Sequence, residues 1–107
     1  MTRFFCRYLN GEVELSHERE VHIAEHHPDL LPEYRERLST ALTDPDQVRR
    51  SKRFGSARQF SRWYPDLKGD KHVVVVVVST EGKGHHWVIT AYMARRLAGG
   101  EVEWRRN

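Results

Sequence analysis

Six consecutive valines, Val73 to Val78, constrain this chain more than any other stretch. β-Branched side chains are stiff at χ1 and suit a pleated surface better than a helix. The run has no polar alternation, so neither face of the strand it forms can look into water. It therefore belongs at the centre of a sheet, covered on both faces. It is also far too short to span a bilayer.

Other extended pieces surround it. "QVRRSKR", "ARQFSRWY", "KHVVVVVVST", "HHWVITAYMA" and "GEVEWR" are rich in β-branched and aromatic residues and are separated by Gly, Asp and Pro. Gly82 and Gly84 mark a hairpin out of the valine strand. Nearer the start, "RFFCRYLNGEVEL" reads as a hairpin about Asn10-Gly11, a pair that favours a tight primed turn. Ser16 is placed to cap a helix through "HEREVHIAEH", with Glu18 at its positive end. That helix finishes near His26, because the ring of Pro28 pushes His27 out of helical geometry. Pro32 suits the first turn of a second helix, "PEYRERLSTALT", whose apolar stripe is Leu31, Tyr34, Leu38 and Leu42. "TDPD" stops it. The expected fold is α+β: an N-terminal hairpin and two helices, then an antiparallel sheet of four to five strands. At 107 residues the chain is expected to form one domain, residues 1–107.

With 38% hydrophobic and 31% charged residues the chain is globular rather than disordered. The N-terminal stretch turns polar too early for a signal peptide, and the single cysteine, Cys6, suits a reducing compartment, so a cytoplasmic location is expected. In apolar surroundings Cys6 reads as a core residue rather than a nucleophile. Charge is uneven: residues 1–47 carry −5 and residues 48–107 carry +8. That asymmetry offers a surface for a polyanion, or an attraction between the two parts as they pack.

Three of the seven histidines, His22, His26 and His27, lie within "HIAEHH". "HIAEH" matches H-x-x-E-H, an inverted zinc-protease motif, and His22 and His26 are neighbours on one helical face. A third ligand is lacking. Proton transfer asks for less, since histidine titrates near neutral pH without a cofactor. Metal-free RNA cleavage needs a base for the 2′-hydroxyl, an acid for the leaving oxygen and cations for the phosphorane. His22 and His27 are candidate proton carriers, which the break at Pro28 would turn toward one cleft. In "WVITAYMA", Val88, Thr90 and Tyr92 share one face, with Thr90 and Tyr92 as hydroxyl donors to a phosphate. In "ARQFSRWY", Arg58, Phe60 and Arg62 share a face, an aromatic between two guanidiniums that suits a stacked base beside a held phosphate. Arg50, within "RRSKR" at 49–53, is a further RNA contact or part of a charged edge strand.

The order "HI", "HP" and "L", then "DPD-V-RS", an Arg-aromatic strand, the valine strand, "ITAY" and "GEVEW" resembles the BECR nucleases (barnase, EndoU, colicin-type and RelE-like domains). The resemblance runs from about Phe4 to Trp104. It implies a BECR-like fold and a metal-independent endoribonuclease of toxin or phage-effector type, with no cofactor. By position it implies His22 as the helix histidine, His27 as the histidine before proline, Arg58 as the basic strand residue, and Thr90 and Tyr92 as the polar pair. His26 departs from the arginine expected there.

The leading expectation is thus an endoribonuclease acting by 2′-hydroxyl transesterification. His22 and His27 would be base and acid, in either order, and Arg58, supported by Arg62, would stabilise the phosphorane. RNA is the expected partner, with an inhibitor (antitoxin or immunity) protein protecting the host and no membrane involved. A non-catalytic module binding nucleic acid or protein is the alternative, and a zinc hydrolase the third.

Overall fold

A computed structural model of the protein describes residues 1–52, 56–66, 70–80, 82 and 84–106. Its strands are β1 (Thr2–Cys6), β2 (Gly11–Leu15), β3 (Gln47–Ser51), β4 (Ala57–Tyr64), β5 (Lys71–Ser79), β6 (His86–Ala94) and β7 (Gly100–Arg105). Two short helices, α1 (His17–His26) and α2 (Arg35–Thr43), lie between β2 and β3.

All seven strands join one sheet in the order β1-β2-β6-β5-β4-β3-β7. The expected four- to five-stranded antiparallel sheet preceded by a separate hairpin and two helices is therefore corrected. The N-terminal hairpin is not a separate unit, because β2 pairs in parallel with β6 through Val13↔His86 and Glu14↔Trp87. That single parallel junction makes the sheet mixed, and a parallel pairing between distant segments leaves no local signature. The hairpin turn also differs from expectation. Cys6 pairs with Gly11, so the turn is Arg7–Asn10, with Asn10 in the left-handed region at φ 51°.

The valine strand occupies the centre, as its composition requires. Val73, Val75 and Val77 face the helices, whereas on the outer face Val74 is buried but Val76 and Val78 stay partly exposed, so that face is less fully covered than expected. Cross-strand partners share a face, so Arg58, Phe60, Arg62 and Tyr64 of β4 also lie on the helix side. Ile23 of α1 and Leu38, Ala41 and Leu42 of α2 join Phe60, Val88 and Ala91 in the core. Each fully buried side chain of Val or Leu size contributes about 1.5–3 kcal/mol.

Helix α1 begins where the capping argument puts it: the Ser16 hydroxyl accepts from the Arg19 amide at 3.1 Å, satisfying one orphan donor. It packs along β6, where Arg19 donates to the Ile89 carbonyl at 3.4 Å, and ends at His26. Helix α2 starts at Arg35, three residues later than Pro32 suggested, and the Leu31–Pro32 peptide is cis. It packs against β1, β4 and β5.

The sheet curls. Tyr8, at the tip of the β1–β2 hairpin, donates its hydroxyl to Glu103 of β7 at 3.0 Å, although the two strands stand at opposite ends of the strand order. The Tyr8 ring also meets Trp104 and Phe60, with centroids 6.4 and 6.1 Å away. The helix side is therefore a trough, filled at one end by α2 and the core and bridged at the other by the hairpin tip. Among the described residues, no helix is long and apolar enough to cross a membrane.

Candidate active site

At the bridged end of the trough, charged and polar groups replace the apolar core. Arg50 and Arg58 are cross-strand partners on β3 and β4, so both point into the trough. Between them sits Glu103. Arg58 Nε donates to Glu103 Oε1 at 2.7 Å and Arg50 Nε donates to Oε2 at 2.6 Å, while the Tyr8 hydroxyl shares Oε1. Glu103 reaches them because of a β-bulge. Val48 pairs with Trp104 and Arg49 with Val102, so Glu103 is the extra residue on β7. A bulge re-aims one side chain and raises the local twist, which lets Glu103 and Trp104 both meet Tyr8.

His86 completes the set. It pairs with Ser79, which shares the trough face with Val77, and its Nδ1 lies 2.6 Å from the Ser79 hydroxyl. Its other edge, Cδ2–Nε2, faces Gly11, where a β-carbon would stand 3.7–3.8 Å away. The glycine lets the β2 backbone pack close beside the imidazole, which is only 8% exposed. Comparison with known proteins gives no match: no family model, curated protein or solved structure is significantly similar to this chain.

The electrostatics of the cluster are coupled. Burial pushes the Glu103 carboxyl up, but hydrogen bonds from Arg58, Arg50 and Tyr8 outweigh it and hold the group below the ordinary carboxylate value. Burial, reinforced by the charges of Arg58 and His85, lowers His86 below its ordinary value of 6.5. Burial and the bond to Glu103 raise the Tyr8 phenol, which stays a proton donor. The side chains of Glu103, Arg58 and Arg50 are 15%, 20% and 39% exposed, so the cluster is most open at Arg50. At neutral pH it holds two cations, one carboxylate and a neutral imidazole: a site for an anion flanked by two proton carriers.

The residues singled out from sequence disperse. Arg58 and Arg50 belong to this cluster. Phe60 is completely buried beneath Tyr8 and offers no face to a base. Arg62 is bound to Asp44, donating to its carbonyl at 2.6 Å and its carboxylate at 2.9 Å. Thr90 pairs with Val76 and Tyr92 with Val74, which puts both on the outer face, so the sheet lies between them and Arg58. His27 comes near Tyr92, with ring centroids 6.0 Å apart, and burial raises the Tyr92 phenol. His22 stacks on His26 at 4.2 Å, and His26 Nδ1 bonds the His22 carbonyl at 2.9 Å. Among the described residues no group of three or more His, Cys, Asp or Glu gathers around a common point, so no third ligand joins His22 and His26. Of the basic stretch at 49–53, Arg49 donates to Ala98, and Arg53 lies outside the described residues. Cys6 is buried in the core, where desolvation raises its thiol.

Val88 does not share a face with Thr90 and Tyr92. Val77 pairs with Val88 and Val76 with Thr90, so Ile89 is an extra residue and alternation breaks there. Sequence reasoning missed Glu103, His86 and Tyr8. The doublet His85-His86 carried a usable signal, a histidine beside a turn glycine at the mouth of the central hairpin. Glu103 carried none, because strict alternation puts it and Trp104 on opposite faces.

Proposed function

We propose that this protein is a metal-independent endoribonuclease whose reaction runs at the Glu103–His86–Arg50–Arg58 cluster. The gathering of a carboxylate, an imidazole and two guanidiniums at one end of the trough, with Arg50 the most open of them, carries the reading. The sequence resemblance to BECR nucleases points to the same chemistry, although of the residues it implied only Arg58 is in the cluster, and His22, His27, Thr90 and Tyr92 lie elsewhere.

In the proposed reaction the phosphate of the scissile bond binds Arg50 and Arg58, in competition with Glu103. As the guanidiniums turn to phosphate, Glu103 loses donors and becomes more basic. Its carboxylate takes the proton from the 2′-hydroxyl, and the 2′-oxygen attacks phosphorus. The arginines stabilise the charge of the pentavalent phosphorane. The phosphorus–O5′ bond then breaks, and the imidazolium of His86 gives its Nε2 proton to the leaving oxygen. Products are a 2′,3′-cyclic phosphate and a 5′-hydroxyl end. Base and acid are assigned by protonation: between the two pKa values most molecules hold Glu103 ionised and His86 charged.

The test is incubation of purified protein with RNA in excess EDTA. Cleavage products ending in 2′,3′-cyclic phosphate are expected, with loss of cutting in His86→Ala and Glu103→Gln. Intact RNA at stoichiometric protein overturns the proposal. A second reading, a non-catalytic RNA-binding module, is favoured by the engagement of both guanidiniums with Glu103. It expects salt-sensitive RNA binding without cleavage in the same incubation.

A further inference from the structure

Next to the cluster, on the far side of Tyr8, lies a hollow of about 310 Å³ lined by Arg7, Tyr8, Thr43, Asp44, Pro45 and Trp104. We infer that it is a nucleobase subsite that takes one unpaired base of the RNA, stacked on Trp104. The inference deepens the nuclease reading and rests on it for the class of substrate.

Size comes first. The volume is at the lower end of the range for small-molecule sites, roughly 300–1,000 Å³, which suits one nucleoside and not two. The lining supplies aromatic faces. Trp104 is 38% exposed, and its indole stands 6.4 Å from the Tyr8 ring at 56°. The two rings contact each other at a tilt rather than face to face, so they form two walls of the hollow at an angle to each other. Every base has a π-face, so such a platform grips single-stranded nucleic acid regardless of sequence.

Charge also fits. Asp44 would repel a polyanion, but Arg106 Nη2 and Arg62 Nη1 hold its carboxylate at 2.6 and 2.9 Å. Burial pushes the Asp44 carboxyl up, but those contacts outweigh it, hold the group below its ordinary value and offset its charge locally. Arg7, which also lines the hollow, adds a cation for the adjoining phosphate.

Position ties the hollow to the chemistry. Tyr8 contributes its ring to the hollow and its hydroxyl to Glu103 at 3.0 Å. Trp104 follows Glu103 directly in sequence, so the platform and the proposed base are one residue apart. A base on Trp104 therefore belongs to a nucleotide next to the scissile phosphate. A base held this way cannot pair, so the subsite selects single-stranded RNA over duplex.

The experiment uses DNA oligonucleotides with one ribonucleotide, in which the base is removed in turn from the ribonucleotide and from each neighbour. Wild-type protein should lose about 5- to 150-fold in kcat/KM at one of these positions, mainly through KM. Trp104→Ala should cut the intact substrate at that reduced level and no longer distinguish the two, while Trp104→Phe keeps the discrimination. Equal cutting of all substrates by wild-type protein, or discrimination that survives in Trp104→Ala, overturns the subsite. A parallel arm measures binding of the same sequences as uncleavable 2′-O-methyl oligonucleotides by fluorescence anisotropy. If nothing is cut yet wild-type protein, and not Trp104→Ala, binds the intact oligonucleotide more tightly than the abasic one, the nuclease reading fails and the subsite stands. If neither protein distinguishes them, the subsite fails too.

Discussion

Glu103→Gln isolates the charge at the centre of the cluster without changing its shape. Glutamine fills the same volume and still accepts from one donor through its carbonyl. It presents its amide NH₂ to the other guanidinium, donor against donor. Two cations are left side by side, where the wild type has Arg58 and Arg50 at 2.7 and 2.6 Å from a carboxylate. Breaking a fully buried pair costs about 3–5 kcal/mol, and an exposed one about 0.2–1 kcal/mol. Glu103 at 15% and Arg58 at 20% exposure stand nearer the first case, Arg50 at 39% nearer the second, and solvent screening scales its share down. Because glutamine keeps one of the two hydrogen bonds, the expected loss falls below that sum, at about 2 kcal/mol at pH 7, or about 8–16 °C in Tm for a domain of this size. Urea unfolding followed by circular dichroism measures it directly. The pH dependence has a definite sign. The folded-state carboxyl lies below its ordinary value of 4.5, so its contribution is fully present above that value and fades as pH falls through the lowered one. The gap between wild type and variant should therefore hold from pH 7 to about 5 and narrow in stronger acid. An unchanged urea midpoint at pH 7, or a gap that widens on acidification, would refute the reasoning.

His86→Ala should lower kcat on RNA by about 10²- to 10⁴-fold with its fold intact by circular dichroism, while His22→Ala and His27→Ala stay near wild type. The reverse ranking would move the chemistry to the α1–β6 edge. Wild-type kcat/KM should be bell-shaped in pH with its maximum on the acid side, because the lowered His86 sets the descending limb below 6.5; a rate still climbing above pH 7 would contradict the assignment of His86 as acid. Phe60→Ala should destabilise the protein by about 3–5 kcal/mol in urea unfolding, as expected for a fully buried ring with the core on both sides. A loss under 1 kcal/mol would mean the ring is not in the core.

Much of the architecture is legible in local chemistry. Six valines without polar relief demand the centre of a sheet, and β5 is the middle strand of seven. Ser16 caps α1 because a hydroxyl at that position meets an orphan amide three residues on, a contact decided within one turn. Gly82 and Gly84 take positive φ between β5 and β6, the backbone region for which glycine carries no penalty. Each of these rests on interactions between residues a few positions apart.

The site is a different matter. Tyr8 and Glu103 are 95 residues apart and meet because the sheet curls, a consequence of twist accumulated over seven strands. Two bulges, at Ile89 and Glu103, each shift alternation by one residue and so exchange the faces on which neighbours appear. Thr90 and Tyr92 looked like partners of Arg58 because residue types alone carry no information about which side of a sheet each strand presents. Local patterning thus dictated where strands, turns and the first helix form. Curl, parallel closure and bulge position, which depend on the packing of the entire chain, dictated which charged groups share the trough.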